Sequence, residues 1–130
     1  MRLLMLTYGT EGDTRPLAAL GHALLQAGHA VHLLADRSTL DVARALGLPC
    51  TALAGDIRAT IARDDGMRDI TRALARLTIA HTGAWMEQAL EDGRGCDAVI
   101  VSGLTAFVGL SVAEALGVPA IGAMLIPISP

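Results

Sequence analysis

Short, mostly apolar runs alternate along this chain with longer stretches in which apolar residues return every three or four positions. Arg2 to Tyr8 is such a run and ends against Gly9, Gly12 and Asp13, the pattern of a buried strand that stops at a loop. Leu17, Leu20, Leu24 and Leu25 follow at helical spacing, with Pro16 expected in the first helical turn and Gly28 as the stop. Ala30 to Ala35 is the second expected strand, Asp36 to Gly47 a second helix, and Pro49 to Leu53 a third strand. Beyond Ala54, Gly55 and Asp56 come a short helix over Ile57 to Arg63 and a long one from Met67 to Glu91, its apolar positions being Ile70, Leu74, Leu77 and Trp85. Asp97 to Val101, then Leu104 to Leu116 closed by Gly117, then Pro119 to Leu125 complete the series as strand, helix and strand.

An order of strands separated by helices asks for a parallel sheet. Val99, Ile100 and Val101 show no polar alternation, as expected of a strand covered on both faces. The predicted fold is therefore α/β: a doubly wound, Rossmann-like parallel sheet in three α/β/α layers. Ligands of such sheets bind beyond the carboxyl ends of the strands, so the loops that follow each strand are where chemistry is sought.

Composition narrows this picture. With 130 residues the chain holds one domain, and with 52% apolar and 18% charged residues it is far from the disordered class. A net charge of -3 supplies no basic field for nucleic acid. Cys50 and Cys96 belong to no CxxC motif and read as reduced, packed thiols, and no stretch approaches the length of a membrane span. A cytoplasmic protein is the expectation. The histidines have no HxxxH or HExxH spacing, so no metal site is expected, and His22, His29 and His32 read as surface or packing residues.

Candidate chemistry begins at Gly9-Thr10-Glu11-Gly12-Asp13, where a Rossmann-like sheet presents backbone N–H groups to a ligand. The loop is not GxGxxG and lacks the lysine of a phosphate-binding P-loop. Asp13 admits two readings from its position: a carboxylate exposed at the sheet's edge for proton transfer, or one that serves the N–H groups and dipole at a helix start.

The run Gly9-Thr10, Gly12-Asp13, Pro16, Ala19-Leu20-Gly21, Leu24, Gly28-His29 and Val31 resembles the amino-terminal signature of the GT-B glycosyltransferases. The resemblance is nearest to their branch of sterol and antibiotic-aglycone glycosyltransferases, extends from Leu3 to Val31, and continues in the pair Gly55-Asp56. It implies that this domain is one half of a GT-B fold, the acceptor side of an inverting transferase that moves a hexose from a nucleotide-sugar to a hydroxyl group. Asp13 is then the catalytic base. Gly9, Thr10 and Gly12 would face the donor, although Glu11 departs from the basic or small polar residue common at its place and would repel a diphosphate. Ser102-Gly103 stands where plant relatives carry the aspartate of a His-Asp dyad, so no dyad is carried over.

Asp56, His81, Trp85, Met86, Ser102, Gly103 and Phe107 are the candidates to line the acceptor site, with a core position for Trp85 and helix capping for Ser102-Gly103 as the structural alternatives. The few polar groups in these loops point to an apolar acceptor. No cofactor is implied; a UDP- or TDP-hexose is the co-substrate. The donor-binding domain has no counterpart in these residues, so the chain alone is expected to be inactive, and the face toward a missing domain is a place for self-association. The competing readings are a binding or assembly module that keeps the fold without catalysis, and a dinucleotide-binding domain, which the absent third glycine disfavours.

Overall fold

The computed structural model of the chain describes residues 1–62 and 67–124. In chain order its elements are β1 (Arg2–Leu6), α1 (Glu11–Gln26), β2 (Ala30–Asp36), α2 (Asp41–Ala45) and β3 (Cys50–Leu53). There follow α3 (Ile57–Ala62), α4 (Met67–Asp92), β4 (Ala98–Val101), α5 (Ala106–Leu116) and β5 (Ala120–Gly122). The strands form a single parallel sheet in the order β3-β2-β1-β4-β5, with Leu4 opposite His32 on one side and Val99 on the other.

The two-residue period of a strand sorts the apolar runs into two cores. Leu3, Met5, Leu33 and Ile100 face one side and pack on Leu17 and Ala18 of α1 and Ala43 of α2. Leu4, Leu6, Leu34, Val99 and Val101 face the other and pack on Ile57 of α3, Trp85 and Ala89 of α4, and Val108 and Val112 of α5. Both faces of the sheet are thus covered, giving the three-layer, Rossmann-like α/β architecture. Among the described residues no helix is long and apolar enough to cross a membrane, and no cluster of three His, Cys, Asp or Glu side chains is placed to hold a metal ion.

Two helices depart from the sequence expectation for local reasons. Helix α1 starts at Glu11, so Asp13 lies inside its first turn and Pro16 in the second rather than the first. Thr10 and Asp13 cause the early start: the Asp13 carboxylate accepts from the Thr10 backbone N–H, the return half of a capping box. Pro16 is tolerated at the cost of the bond that its missing N–H would have sent to the Gly12 carbonyl. The expected helix over Asp36 to Gly47 is broken into a 3-10 turn at Arg37–Thr39 and the short α2. Here Asp36 accepts from the Ser38 N–H, and Thr39 Oγ1 donates to the Asp36 carbonyl, bonds that compete with a continuous helix. Arg63 and Leu125, the expected ends of the third helix and last strand, lie outside the described residues.

Candidate active site

Strands β1 and β4 are neighbours, yet the helices that follow them, α1 and α5, lie on opposite faces of the sheet. The chain leaves the two strands in opposite directions and opens a crevice at their carboxyl ends. Into it come Gly9 to Asp13 from one side and Ser102 to Thr105 from the other.

Asp13 is half-buried there. Its Oδ2 accepts from the Thr10 N–H at 3.0 Å and lies 3.4 Å from Thr10 Oγ1, while Oδ1 has no partner among the described residues. Gly9 makes this placement possible, since a Cβ on Gly9 would lie 2.2 Å from Asp13 Oδ2. The glycine thus admits the carboxylate over the end of β1 rather than simply turning the chain. Opposite, Gly103 has φ +61° and would bring a Cβ within 2.9 Å of the Tyr8 carbonyl oxygen, so both its backbone conformation and its space require glycine. The same Tyr8 carbonyl accepts from Leu104 N–H at 3.3 Å, and the Ser102 N–H donates to Leu6 at 2.9 Å, which ties the two loops together.

A cavity of about 720 Å³ opens from this crevice. Asp13, Ser102, Gly103 and Thr78 stand at its polar edge, and Ile79, Phe107, Leu110 and Met124 form an otherwise apolar wall. Phe107 is 84% exposed and Ile79 78%, so two large apolar side chains stand in solvent beside one concave surface. A second cavity of about 180 Å³ lies between the end of β1 and helices α3 and α4, and Asp13 and Gly103 border it as well.

Of the residues singled out in the sequence, the structure gathers Asp13, Ser102, Gly103 and Phe107 around the larger cavity and Gly9 and Thr10 beside the smaller. Gly12 is exposed and borders neither. Asp56, His81, Trp85 and Met86 are not brought there. Trp85 has no exposed surface and donates its indole N–H to the Ala54 carbonyl at 2.7 Å, which makes it a core residue and corrects its expected place in an acceptor lining. His81 lies against it with ring centroids 6.4 Å apart, and Met86 packs on the same core. Asp56 caps α3, its Oδ1 accepting from the Ala59 N–H at 3.0 Å, and borders neither cavity.

Sequence reading missed Tyr8 and the flank of α4. Tyr8 is buried, lies tilted against Trp85 with ring centroids 4.5 Å apart, and donates its hydroxyl to Asp36 Oδ1 at 2.6 Å. Burial, and then the hydrogen bond to Asp36, push its phenol well above the ordinary range. Ala75, Thr78 and Ile79 carried a readable signal, a stripe at helical spacing beside the one that holds Leu74 and Leu77.

No family model matches the chain. It is similar to a sterol 3-beta-glucosyltransferase of Eremothecium gossypii, with 33% identity over 95% of this chain and 10% of that protein. A vancomycin aglycone glucosyltransferase of Amycolatopsis orientalis is 31% identical over 92% of this chain and 29% of its own length. Among solved structures, the Streptomyces glycosyltransferase SsfS6 in complex with thymidine diphosphate superposes on all of this chain and 40% of its own, with TM-score 0.72 and 24% identity, and so shares the fold. The chain therefore spans between about a tenth and two fifths of the proteins it resembles.

Proposed function

Because this chain is homologous, over nearly its whole length, to a segment of the sterol and antibiotic glycosyltransferases of the GT-B fold, we propose that it is the acceptor-binding half of such an enzyme. The reaction is an inverting transfer of a hexose from a nucleotide-sugar to a hydroxyl of an apolar small molecule. The observation that carries the reading is the Asp13 carboxylate, fixed through one oxygen and, among the described residues, unpartnered at the other, at the edge of an apolar cavity at the sheet's switch point.

The chemistry follows from that geometry. An alcohol is a weak nucleophile, and loss of its proton as the new bond forms lowers the barrier. The acceptor hydroxyl donates to Asp13 Oδ1, its oxygen bonds to the anomeric carbon, the proton passes to the carboxylate, and the nucleoside diphosphate leaves with the bonding electrons. The Thr10 N–H holds Oδ2 and so fixes the carboxylate on the border of the cavity, with Oδ1 left without a partner among the described residues. Apolar walls at Ile79, Phe107 and Leu110 take up the body of the acceptor and exclude water from the reacting pair.

Stabilising the departing diphosphate calls for positive or hydrogen-bonding groups that this domain does not concentrate: Glu11 adds negative charge at the loop, and Thr10 is engaged with Asp13. We assign that task to a separate donor-binding domain, which would deliver a UDP- or TDP-hexose across the crevice; SsfS6, which shares the fold, was solved with thymidine diphosphate. In an assembly complete with a donor domain, Asp13→Asn lowers turnover about 10²–10⁴-fold and leaves acceptor affinity in place. Steady-state kinetics alongside direct acceptor titration measure both, and an Asn variant with undiminished turnover overturns the assignment.

A second reading, a binding or assembly module without catalysis, draws on the capping box, which gives Asp13 a structural duty. Under it, Asp13→Asn alters helix stability and nothing else.

A further inference from the structure

We propose that the outer edge of β3 is a docking site for an extended polypeptide segment that carries basic side chains at alternate positions. The groove concerned lies between β3 and α4, has a volume of about 400 Å³, and shares no lining residue with either cavity at the crevice. β3 is the last strand on its side of the sheet. The Leu33 N–H donates to the Pro49 carbonyl at 2.9 Å, and Leu33 lies in register with Cys50. Backbone direction alternates along a strand, so Thr51 and Leu53 turn their N–H and C=O groups to β2 while Ala52 turns its own outward, where no described residue takes them. Ala52, Ala54 and Gly55, with Ala84 of α4, are too small to cover that edge, and the ladder stays open to another chain.

Charge decides which chain. Glu87 and Glu91 of α4 stand along the groove one helical turn apart, both exposed and neither in an ion pair among the described residues. Four residues of helix rise about 6 Å, close to the roughly 6.7 Å between alternate side chains on one face of a strand. A segment paired to β3 therefore sets two same-face side chains against the two carboxylates, and Lys or Arg suits both. Arg37 borders the groove where β2 ends and opposes a further basic side chain there. A second copy of this chain is a poor occupant, because pairing two β3 edges about a twofold axis brings the acidic pairs of both copies together.

The test is a titration of the 130-residue chain with the acetylated and amidated peptide Val-Lys-Val-Lys-Val, followed by calorimetry and by amide hydrogen exchange in nuclear magnetic resonance. Binding is expected to slow exchange of the Ala52 amide. Glu87→Gln combined with Glu91→Gln weakens binding about fivefold. Val-Val-Lys-Lys-Val, with its lysines on opposite faces of a strand, binds less tightly than the first peptide. Ala52→Pro removes an N–H that β2 does not use, and so abolishes binding while sparing the sheet; should this variant fail to fold by circular dichroism, exchange at Ala52 in the parent chain decides.

Failure of the first peptide to bind overturns the proposal. Binding that leaves Ala52 exchange unchanged, or that a folded Ala52→Pro retains, is charge attraction without strand pairing and overturns it as well. Binding indifferent to the two Glu→Gln changes, or equal for the two peptides, removes the match between carboxylates and alternate basic side chains and overturns it equally.

Discussion

Two aspartates sit near the carboxyl ends of adjacent strands, Asp36 hydrogen-bonded to Tyr8 and Asp13 bordering the same cavity as Tyr8, and the structure uses them in opposite ways. Asp36, the last residue of β2, is 1% exposed, and both its oxygens are taken: Oδ1 by the Tyr8 hydroxyl and the Ile57 N–H, Oδ2 by the Ser38 N–H and hydroxyl. Asp13, in the first turn of α1 after β1, is half-buried on the border of a cavity, with one oxygen held and the other without a partner among the described residues. A buried carboxylate that accepts from four donors on three segments is a fastening, because any change in its protonation or position leaves several donors unpaired. A carboxylate held by one oxygen keeps its direction and retains capacity to accept a proton. The contrast divides the sheet's edge into a clamped side at β2 and β3 and a working side between β1 and β4.

The comparison breaks first if the clamped side proves dispensable. Trp85→Ala is expected to cost about 3–5 kcal/mol of stability, since the indole fills the core beside Tyr8 and closes the Ala54 carbonyl, whereas Phe107→Ala on the working side changes stability by less than about 0.5 kcal/mol. Urea unfolding of the two variants measures the difference, and similar midpoints would dissolve the distinction. Next in size, Asp36→Ala strands the buried Tyr8 hydroxyl and is expected to cost about 2–3 kcal/mol, against about 1 kcal/mol for Asp13→Ala, which loses only the return half of a capping box.

The smallest effect sharpens the comparison through pH. Tyr8 is the single tyrosine, and its folded-state pKa lies above that of the unfolded chain, about 10. A raised pKa means that the stability it contributes is fully present below about pH 10 and is lost as pH rises from there toward the folded value, because the unfolded chain releases the proton first. Ultraviolet titration should therefore show phenolate appearing together with unfolding rather than before it. In Tyr8→Phe the decline of stability above about pH 10 should be shallower than in the parent chain. An early phenolate signal in folded protein would place Tyr8 outside the clamp.

Much of the fold was legible from local pattern. The strand positions, the long α4 and the closing turn at Gly117 follow from period and stop signals, because burial between two helical layers demands continuous apolar runs. Boundaries failed where side chains bond to nearby backbone: Thr10 with Asp13 advanced α1, and Asp36 with Ser38 and Thr39 broke the next helix. Asp13, Ser102, Gly103 and Phe107 come to border one cavity because they stand after strands or at the helix that follows, a placement readable from the element order. For Trp85, His81 and Met86 the core alternative and the lining alternative were both open, because a helix repeat does not reveal which of its stripes meets the core; the fold puts Trp85 in the core with Met86 packed on it.

Sequence alone determined that a doubly wound sheet would form and that a carboxylate would stand after its first strand, since both depend on periodicity and on neighbours a few residues apart. Tertiary structure decided which aspartate is fastened and which is left with an oxygen to spare. That choice depends on donors brought from 20 or more residues away, the Tyr8 hydroxyl and the Ile57 N–H onto Asp36, and on helices α4 and α5 closing around Asp13 a space that no short segment encloses.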